Sequence, residues 1–90
     1  MKVLLVGTLP VQTNEISGSF TGIEIGAWDE KSLQRLASDC KAADIVVVMT
    51  GKTSHKAMNV VTKYCSRRVL CSGGVTSIKH AISKLGVQNA

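Results

Sequence analysis

The chain has 90 residues, of which 44% are hydrophobic and 19% are charged, and its formal net charge at pH 7 is +5. This length and composition predict one small globular domain over residues 1–90. With one Trp, one Tyr and one Phe, the chain is poorly suited to binding single strands by stacking bases on aromatic rings. No apolar run approaches the roughly 20 residues of a membrane span, and the apolar start is too short for a signal peptide. We therefore expect a cytoplasmic protein that does not enter a membrane.

The charge is distributed unevenly along the chain. All six acidic residues lie at or before position 44, whereas residues 45–90 carry seven Lys and Arg and no acidic side chain. Such an uncompensated cationic half favours an anionic partner. It also lacks the usual Mg²⁺ ligands and general bases. The pattern indicates binding and not hydrolysis.

The cysteines predict neither a disulfide framework nor a metal site. Cys40, Cys65 and Cys71 are odd in number and have no CxxC spacing, so they are interpreted as reduced thiols. No metal or cofactor is predicted from the sequence.

The first half of the chain predicts two strands, a weak helix and a regular helix. Residues 2–7 (KVLLVG) form a short apolar run that suits a buried strand, and residues 22–28 suit a strand nearer a sheet edge. Between them, residues 8–21 are rich in Ser and Thr and contain Pro10, so residues 10–17 make two helical turns at best. Asp29 is predicted to cap a helix that runs to about Ala42.

The second half alternates strands and helices more clearly. Residues 45–49 (IVVVM) are the strongest predicted strand, followed by a turn at 50–54, a helix at 55–67, a strand at 69–72 and a turn at 73–74. Thr76 or Ser77 is predicted to cap a last helix, which ends at Gly86 and has the apolar face Ile78, Ala81, Ile82 and Leu85. This alternation predicts an α/β fold with a four-stranded parallel sheet, flavodoxin-like or Rossmann-like, in the order 2-1-3-4.

The predicted helices leave one face of this sheet poorly covered. The second and third helices would cover one face, and the other would have only the last helix and the weak segment 8–21. An apolar sheet face is rarely left in water. The sequence therefore predicts a homodimer or a higher oligomer.

Three loops, at residues 7–12, 50–55 and 72–77, are predicted at the carboxyl ends of the strands, where parallel sheets bind ligands. They combine glycines, hydroxyls and helix N-termini, which are the components of an anion site. The candidate ligand-binding residues are Gly7, Thr8, Thr50, Gly51, Lys52, Thr53, Ser54, His55, Ser72, Gly73, Gly74, Thr76 and Ser77. The GKTS run is not a Walker loop, since the required earlier glycine is Val46. The structural alternative is that Thr53 and Ser54 only cap a helix and Lys52 is solvated.

Two residues near these loops are candidates for chemistry. Cys71 could be a nucleophile with His55 as its base, whereas the structural alternative makes Cys71 a small buried hydrophobic residue and His55 a structural histidine. His80 is predicted to lie on the surface.

The basic side chains of the second half offer a different site. Lys56, Lys63, Arg67, Arg68, Lys79 and Lys84 could line a track for a phosphate backbone. Ordinary solvated helix faces are the alternative, although these cations have no acidic residues at i+4 to pair with.

Residues 43–85 resemble a small Rossmann-like family of bacteria and phages, domain of unknown function 2325. The resemblance rests on Asp44 opening an apolar strand, on Thr50, on Ser54-His55, and on the Gly/Ser-rich Ser72–Gly74 and Thr76-Ser77 before a final helix. It implies the same fold and draws attention to His55 and to the SGGVTS loop, and it implies no reaction.

Two function hypotheses follow. The first is a non-enzymatic, oligomeric domain that binds a phosphate-bearing small molecule, such as a nucleotide or signalling nucleotide, at the strand ends. The alternative is a basic nucleic-acid or nucleoprotein binder, for example a small phage-encoded effector that inhibits a host complex.

Overall fold

A computed structural model of the chain describes residues 1–28, 31–65 and 67–84. In chain order its elements are β1 (Lys2–Val6), α1 (Pro10–Gly18), β2 (Glu24–Ala27), α2 (Leu33–Ala42), β3 (Ile45–Met49), a 3-10 turn (Thr50–Lys52), α3 (His55–Tyr64), β4 (Arg68–Cys71) and α4 (Val75–Ser83). The four strands form one parallel sheet in the order β2-β1-β3-β4. The predicted α/β, flavodoxin/Rossmann-like fold and its strand order are confirmed.

β3 is apolar along its whole length and β1 is apolar from Val3 onward, because helices cover both faces of the sheet. β1 and β3 pair in parallel, with Val3 opposite Ile45 and Val6 opposite Val48. Every residue of β3 is buried. Strands that are buried on both faces lose the alternation of polar and apolar residues seen in half-exposed strands.

Each face of the sheet has its own core. Leu4, Val6, Val46 and Val48 pack against α2 and α3. Residues of the other face, with Val47 and Met49 among them, pack against α1 and α4. The predicted placement of the second, third and last helices is therefore confirmed.

The second face is better covered than the sequence predicted. Ile16 of α1, Phe20 and the α4 residues Ile78 and Ile82 close it, so that none of its sheet residues from β1 and β3 is more than 6% exposed. The predicted under-covered face is thus wrong. One well-placed isoleucine and the phenylalanine after α1 bury the face, although α1 itself has almost no amphipathic pattern. The prediction of an oligomer was based on a poorly covered sheet face, so it no longer has that support.

Several element ends differ from the prediction. The Ser32 side chain, and not Asp29, caps α2 by accepting from the Arg35 N–H at 3.2 Å; Asp29, Leu85 and Gly86 lie outside the described residues. Since Cys65 takes up an extended backbone, α3 ends at Tyr64 instead of continuing to residue 67. β4 begins and ends one residue earlier than predicted.

The start of α4 also differs. Gly74 is its N-cap and the helix begins at Val75, so Thr76 and Ser77 lie inside the first turn and do not cap it. Among the helices of the described ranges, none combines the length and apolar character that crossing a bilayer would require.

Candidate functional site

The crevice between the ends of β1 and β3 is closed by packing. The chain continues from β1 to one face of the sheet and from β3 to the other face. Flavodoxin-like sheets usually hold their ligands in the crevice between two such strands. Here the Thr53 hydroxyl donates to the Met49 carbonyl at 2.8 Å. Gly7 has a left-handed φ of +93°, and a Cβ at this position would lie 2.8 Å from Thr53 Oγ1. Gly7 and Thr53 therefore pack against each other, and this contact occupies the base of the crevice.

The loops after β3 and β4 meet in one cleft, as their adjacent strands predicted. This β3–β4 cleft has a volume of about 320 Å³, and its lining residues are Gln12, Met49, Gly51, Lys52, Cys71, Ser72, Gly73 and Gly74. The Thr50 hydroxyl joins the two loops by donating to the Cys71 carbonyl at 3.4 Å. Five of the predicted ligand-binding residues thus share one cleft, and Thr50 holds its two sides together.

The two helices that start beside these loops differ in whether a side chain caps their first N–H groups. In α3, the Ser54 hydroxyl accepts from the Ala57 N–H at 3.2 Å and caps the helix. In α4, the N-cap is Gly74, which has no side chain to offer, and the first turn contains no acidic residue. The first N–H groups of a helix carry partial positive charge and need an acceptor. The start of α4 therefore offers donors at the edge of the β3–β4 cleft.

Close packing explains one glycine of this turn. A Cβ at Gly73 would lie 2.9 Å from both Cβ and Oγ of Ser77, whereas a Cβ at Gly74 would meet nothing within 4 Å. Gly73 thus lets the β4–α4 turn fold tightly against the first turn of the helix. Gly74 has no steric requirement for glycine.

The remaining predicted residues lie elsewhere. Thr8 lines a separate pocket of about 500 Å³ beside Trp28, between the ends of β1 and β2, and its hydroxyl is hydrogen-bonded to that of Thr13 at 2.8 Å. Thr76 and Ser77 line a groove of about 760 Å³ between β4 and α4. His55 is exposed at the first position of α3. The predicted loops 50–55 and 72–77 therefore share the β3–β4 cleft, whereas loop 7–12 contributes to it only through Gln12.

Gln12 ends the predicted loop 7–12 and lines the cleft, although it was not among the predicted ligand-binding residues. Its Oε1 accepts from the Leu9 N–H at 2.9 Å, across the start of α1. This bond leaves its amide NH₂ as a donor, and the residue lines the β3–β4 cleft. A glutamine three residues after the N-cap of a helix that begins with proline is the signal that could have identified it.

The thiol of Cys71 is not in an activating environment. Cys71 is 6% exposed and packs with Ile78 and Ile82 in the core. Burial raises the pKa of this thiol above its ordinary value, which disfavours the nucleophilic thiolate. These observations favour the structural interpretation of Cys71. Cys40 is buried, whereas Cys65 at the end of α3 is half-buried.

The basic side chains do not share one surface. Lys56 and Lys63 are on α3 and Lys79 and Lys84 are on α4, and these helices cover opposite faces of the sheet. The expectation that these cations are unpaired is wrong for Lys79, since its Nζ lies 3.7 Å from Glu15 Oε1 of α1. This ion pair joins two different helices, so the spacing of charges along one helix could not predict it.

Comparisons of the chain with family models, with curated proteins and with solved structures find no match. The resemblance of residues 43–85 to domain of unknown function 2325 stays a prediction.

Proposed function

We propose that the protein is a non-enzymatic binding domain for a phosphate-bearing small molecule, such as a nucleotide or signalling nucleotide, and that the phosphate occupies the β3–β4 cleft. The observation that carries this proposal is that Lys52 and the N-terminus of α4, which lacks a side-chain cap, belong to one cleft. A helix N-terminus with glycines and a nearby lysine is a common phosphate site.

The cleft provides donors of several kinds. Backbone N–H groups of the first turn of α4 would bind phosphate oxygens, Lys52 would supply a positive charge, and the exposed Ser72 hydroxyl would donate a further hydrogen bond. Gln12 also lines the cleft, and its NH₂ group would donate a further hydrogen bond. At about 320 Å³, the cleft is at the small end of ligand sites. It suits the phosphate group, with the rest of the molecule outside.

The structure supports a narrower site than the sequence predicted. Thr53 and Ser54 use their hydroxyls within the protein, on the Met49 carbonyl and on the Ala57 N–H. Gly7 packs against Thr53. We therefore assign ligand contacts to Gln12, Gly51, Lys52 and Ser72–Gly74, and structural roles to Gly7, Thr53 and Ser54.

A thermal-shift panel of nucleotides and inorganic phosphate tests the proposal. A ligand that binds only the folded state raises Tm with its concentration. Lys52→Ala should weaken binding by about tenfold, as loss of a charged contact does. Lys56→Ala is the matched control, because Lys56 is equally exposed and lies outside the cleft. The proposal fails if no ligand of the panel stabilises the wild type, or if the two lysine variants lose equal affinity.

A second variant separates binding from stability. Gly74 has the extended backbone of an N-cap and room for a side chain, so Gly74→Asp should cap α4 and add about 0.3 kcal/mol of stability. The same carboxylate would occupy the donors that phosphate needs. We expect a higher Tm without ligand and no ligand-induced shift; a variant that is stabilised and still binds would contradict this site.

The nucleic-acid alternative is supported by a different surface. Lys63, Arg67 and Arg68 are exposed around the turn from α3 into β4, at the opposite end of β4 from the β3–β4 cleft. Oligonucleotide binding there should fall steeply with salt and weaken in an Arg67→Ala/Arg68→Ala variant while Lys52→Ala binds normally. Unchanged affinity between low and physiological salt would argue against this alternative. The predicted homo-oligomer is tested by sedimentation at micromolar concentration.

A further inference from the structure

Within the described residues, the outer edge of β4 has no neighbouring strand. β4 is the last strand of the sheet, and the Val46 N–H donates to the Arg67 carbonyl at 3.0 Å. Backbone groups of successive residues point to opposite sides of a strand, and the register pairs Val46 with Arg68. The N–H and C=O of Arg68 and of Leu70 therefore point away from β3. No strand of the described chain pairs with this edge, and Leu70 is 53% exposed.

A groove runs beside this edge. The β4–α4 groove, of about 760 Å³, has Val69, Cys71 and Ala81 at its apolar base, and Ser77, His80 and Lys84 of α4 along its side. Unpaired strand edges next to apolar grooves are the sites at which extended peptides bind by adding a strand. The peptide's backbone supplies hydrogen bonds, and alternate side chains enter the groove.

The charge around the groove indicates what kind of segment fits. Exposed Lys84 lines the groove, and Arg67 and Arg68 are exposed at the start of β4. The chain carries no acidic residue after position 44. Two copies paired through their β4 edges would bring these cations together, which is unfavourable. Charge on an edge strand also prevents unspecific pairing with neutral or basic strands.

We propose that the β4 edge binds an extended acidic segment of a partner protein by strand addition. The segment would hydrogen-bond to the outward backbone groups of Arg68 and Leu70 and place alternate apolar side chains in the β4–α4 groove. Its carboxylates alternate to the other face of the added strand and would lie near Arg68, which alternates with Val69 in β4. One end of the β4–α4 groove adjoins the β3–β4 cleft, because both are lined by Cys71 and Ser72–Gly74. The outward backbone groups of Arg68 and Leu70 lie outside that cleft, so the proposal does not depend on phosphate binding.

The test uses a fluorescein-labelled peptide of about eight residues that alternates aspartate with valine, with fluorescence anisotropy as the readout. The wild-type protein should bind it at least about tenfold more tightly than the same peptide with lysine in place of aspartate. A version of the acidic peptide that is N-methylated at alternate residues, on the edge that faces the protein, should lose about tenfold in affinity.

Two single proline variants, one at each edge of the sheet, show where the peptide binds. Leu70→Pro removes an outward N–H without breaking a β3–β4 hydrogen bond, a change that edge strands tolerate, and it should weaken binding about tenfold. Ala27→Pro makes the same change at the opposite edge of the sheet, because the Trp28 N–H donates to the Leu5 carbonyl and the Ala27 N–H points outward. This control should bind as the wild type does. If Leu70→Pro fails to fold, the N-methylated peptide still decides the question.

Five results would overturn the proposal. The first three are equal affinity for the acidic and basic peptides, equal affinity for the N-methylated and unmethylated acidic peptides, and unchanged binding by a folded Leu70→Pro variant. The fourth is a dimer that Leu70→Pro dissociates and that the acidic peptide does not, because a second copy would then occupy the edge. An oligonucleotide that displaces the peptide only at low salt would leave the assignment of an acidic peptide intact. The fifth result, an oligonucleotide that binds the β4 edge more tightly than the peptide and loses affinity in Leu70→Pro, would instead make nucleic acid the ligand of this edge.

Discussion

Replacement of Gly7 by alanine tests the packing between the ends of β1 and β3. Gly7 has a φ of +93°, and an added Cβ would lie 2.8 Å from Thr53 Oγ1 and 3.2 Å from both Cβ and O of Met49. Two costs therefore apply to Gly7→Ala, one from backbone conformation and one from steric contact. Gly22 provides a matched control, since its φ is +79° and a Cβ there would meet nothing within 4 Å.

The backbone cost applies at both glycines, whereas the steric cost applies only at Gly7. A left-handed conformation costs a residue with a Cβ about 1–2 kcal/mol, and forcing an atom into a packed site costs about 1–3 kcal/mol. Gly7→Ala should thus lose about 2–5 kcal/mol of unfolding free energy, and Gly22→Ala only about 1–2 kcal/mol. For a domain of this size each 1 kcal/mol lowers Tm by about 4–8 °C.

Urea unfolding followed by Trp28 fluorescence gives both values, since Trp28 is 7% exposed in the folded state. Thr53→Ala removes the hydroxyl that the new methyl group would contact. The double variant Gly7→Ala/Thr53→Ala should therefore lose at least about 1 kcal/mol less than the sum of the single variants. Equal losses for the two glycine variants, together with additive behaviour of Gly7→Ala and Thr53→Ala, would refute this account of the crevice.

Three further predictions concern the helix cap and the thiols. Ser54→Ala should cost about 1 kcal/mol in urea unfolding by removing the cap of α3, and it should leave phosphate affinity unchanged; a loss of affinity would return Ser54 to the ligand site. The pKa of Cys40 is raised from 9.0 to about 11, mainly by burial and to a smaller extent by Cys65 and Asp39. As the pH rises, this thiol therefore deprotonates in the unfolded chain before it does in the folded protein. The unfolding free energy of the wild type should therefore fall between pH 9 and 11 more than that of Cys40→Ala, and parallel curves would contradict the burial of this thiol. In single-cysteine variants, a thiol reagent at neutral pH should label half-buried Cys65 before Cys71, and equal rates would mean that Cys71 is accessible.

The fold was predictable because its signals are local. The run Ile45–Met49 is apolar throughout, which is typical of a strand covered on both faces. Helices follow the strands at short intervals, and right-handed crossovers then leave few possible strand orders. The order β2-β1-β3-β4 needed no knowledge of any side-chain contact.

The candidate site was predictable only in part. Adjacent parallel strands place their following loops side by side, so the meeting of Lys52 with Ser72–Gly74 followed from strand order. Gln12 was not among the predicted ligand-binding residues because it reaches the cleft from a helix that the Pro- and Ser-rich sequence hardly predicts. The hydroxyls of Thr53 and Ser54 have the same chemistry whether they bind a ligand or the backbone, so their sequence could not distinguish the two roles.

The sequence by itself determined the order of the elements, the apolar faces of the helices and a second half without acidic side chains, because these properties depend on residues close together in the chain. Only the tertiary structure decided which groups were already satisfied. It placed Thr53 against Gly7, paired Lys79 with Glu15 and closed the second face of the sheet with Ile16 and Phe20. Each of these contacts joins residues far apart in the chain, and whether a polar or apolar group has a partner depends on distances that local patterns do not contain.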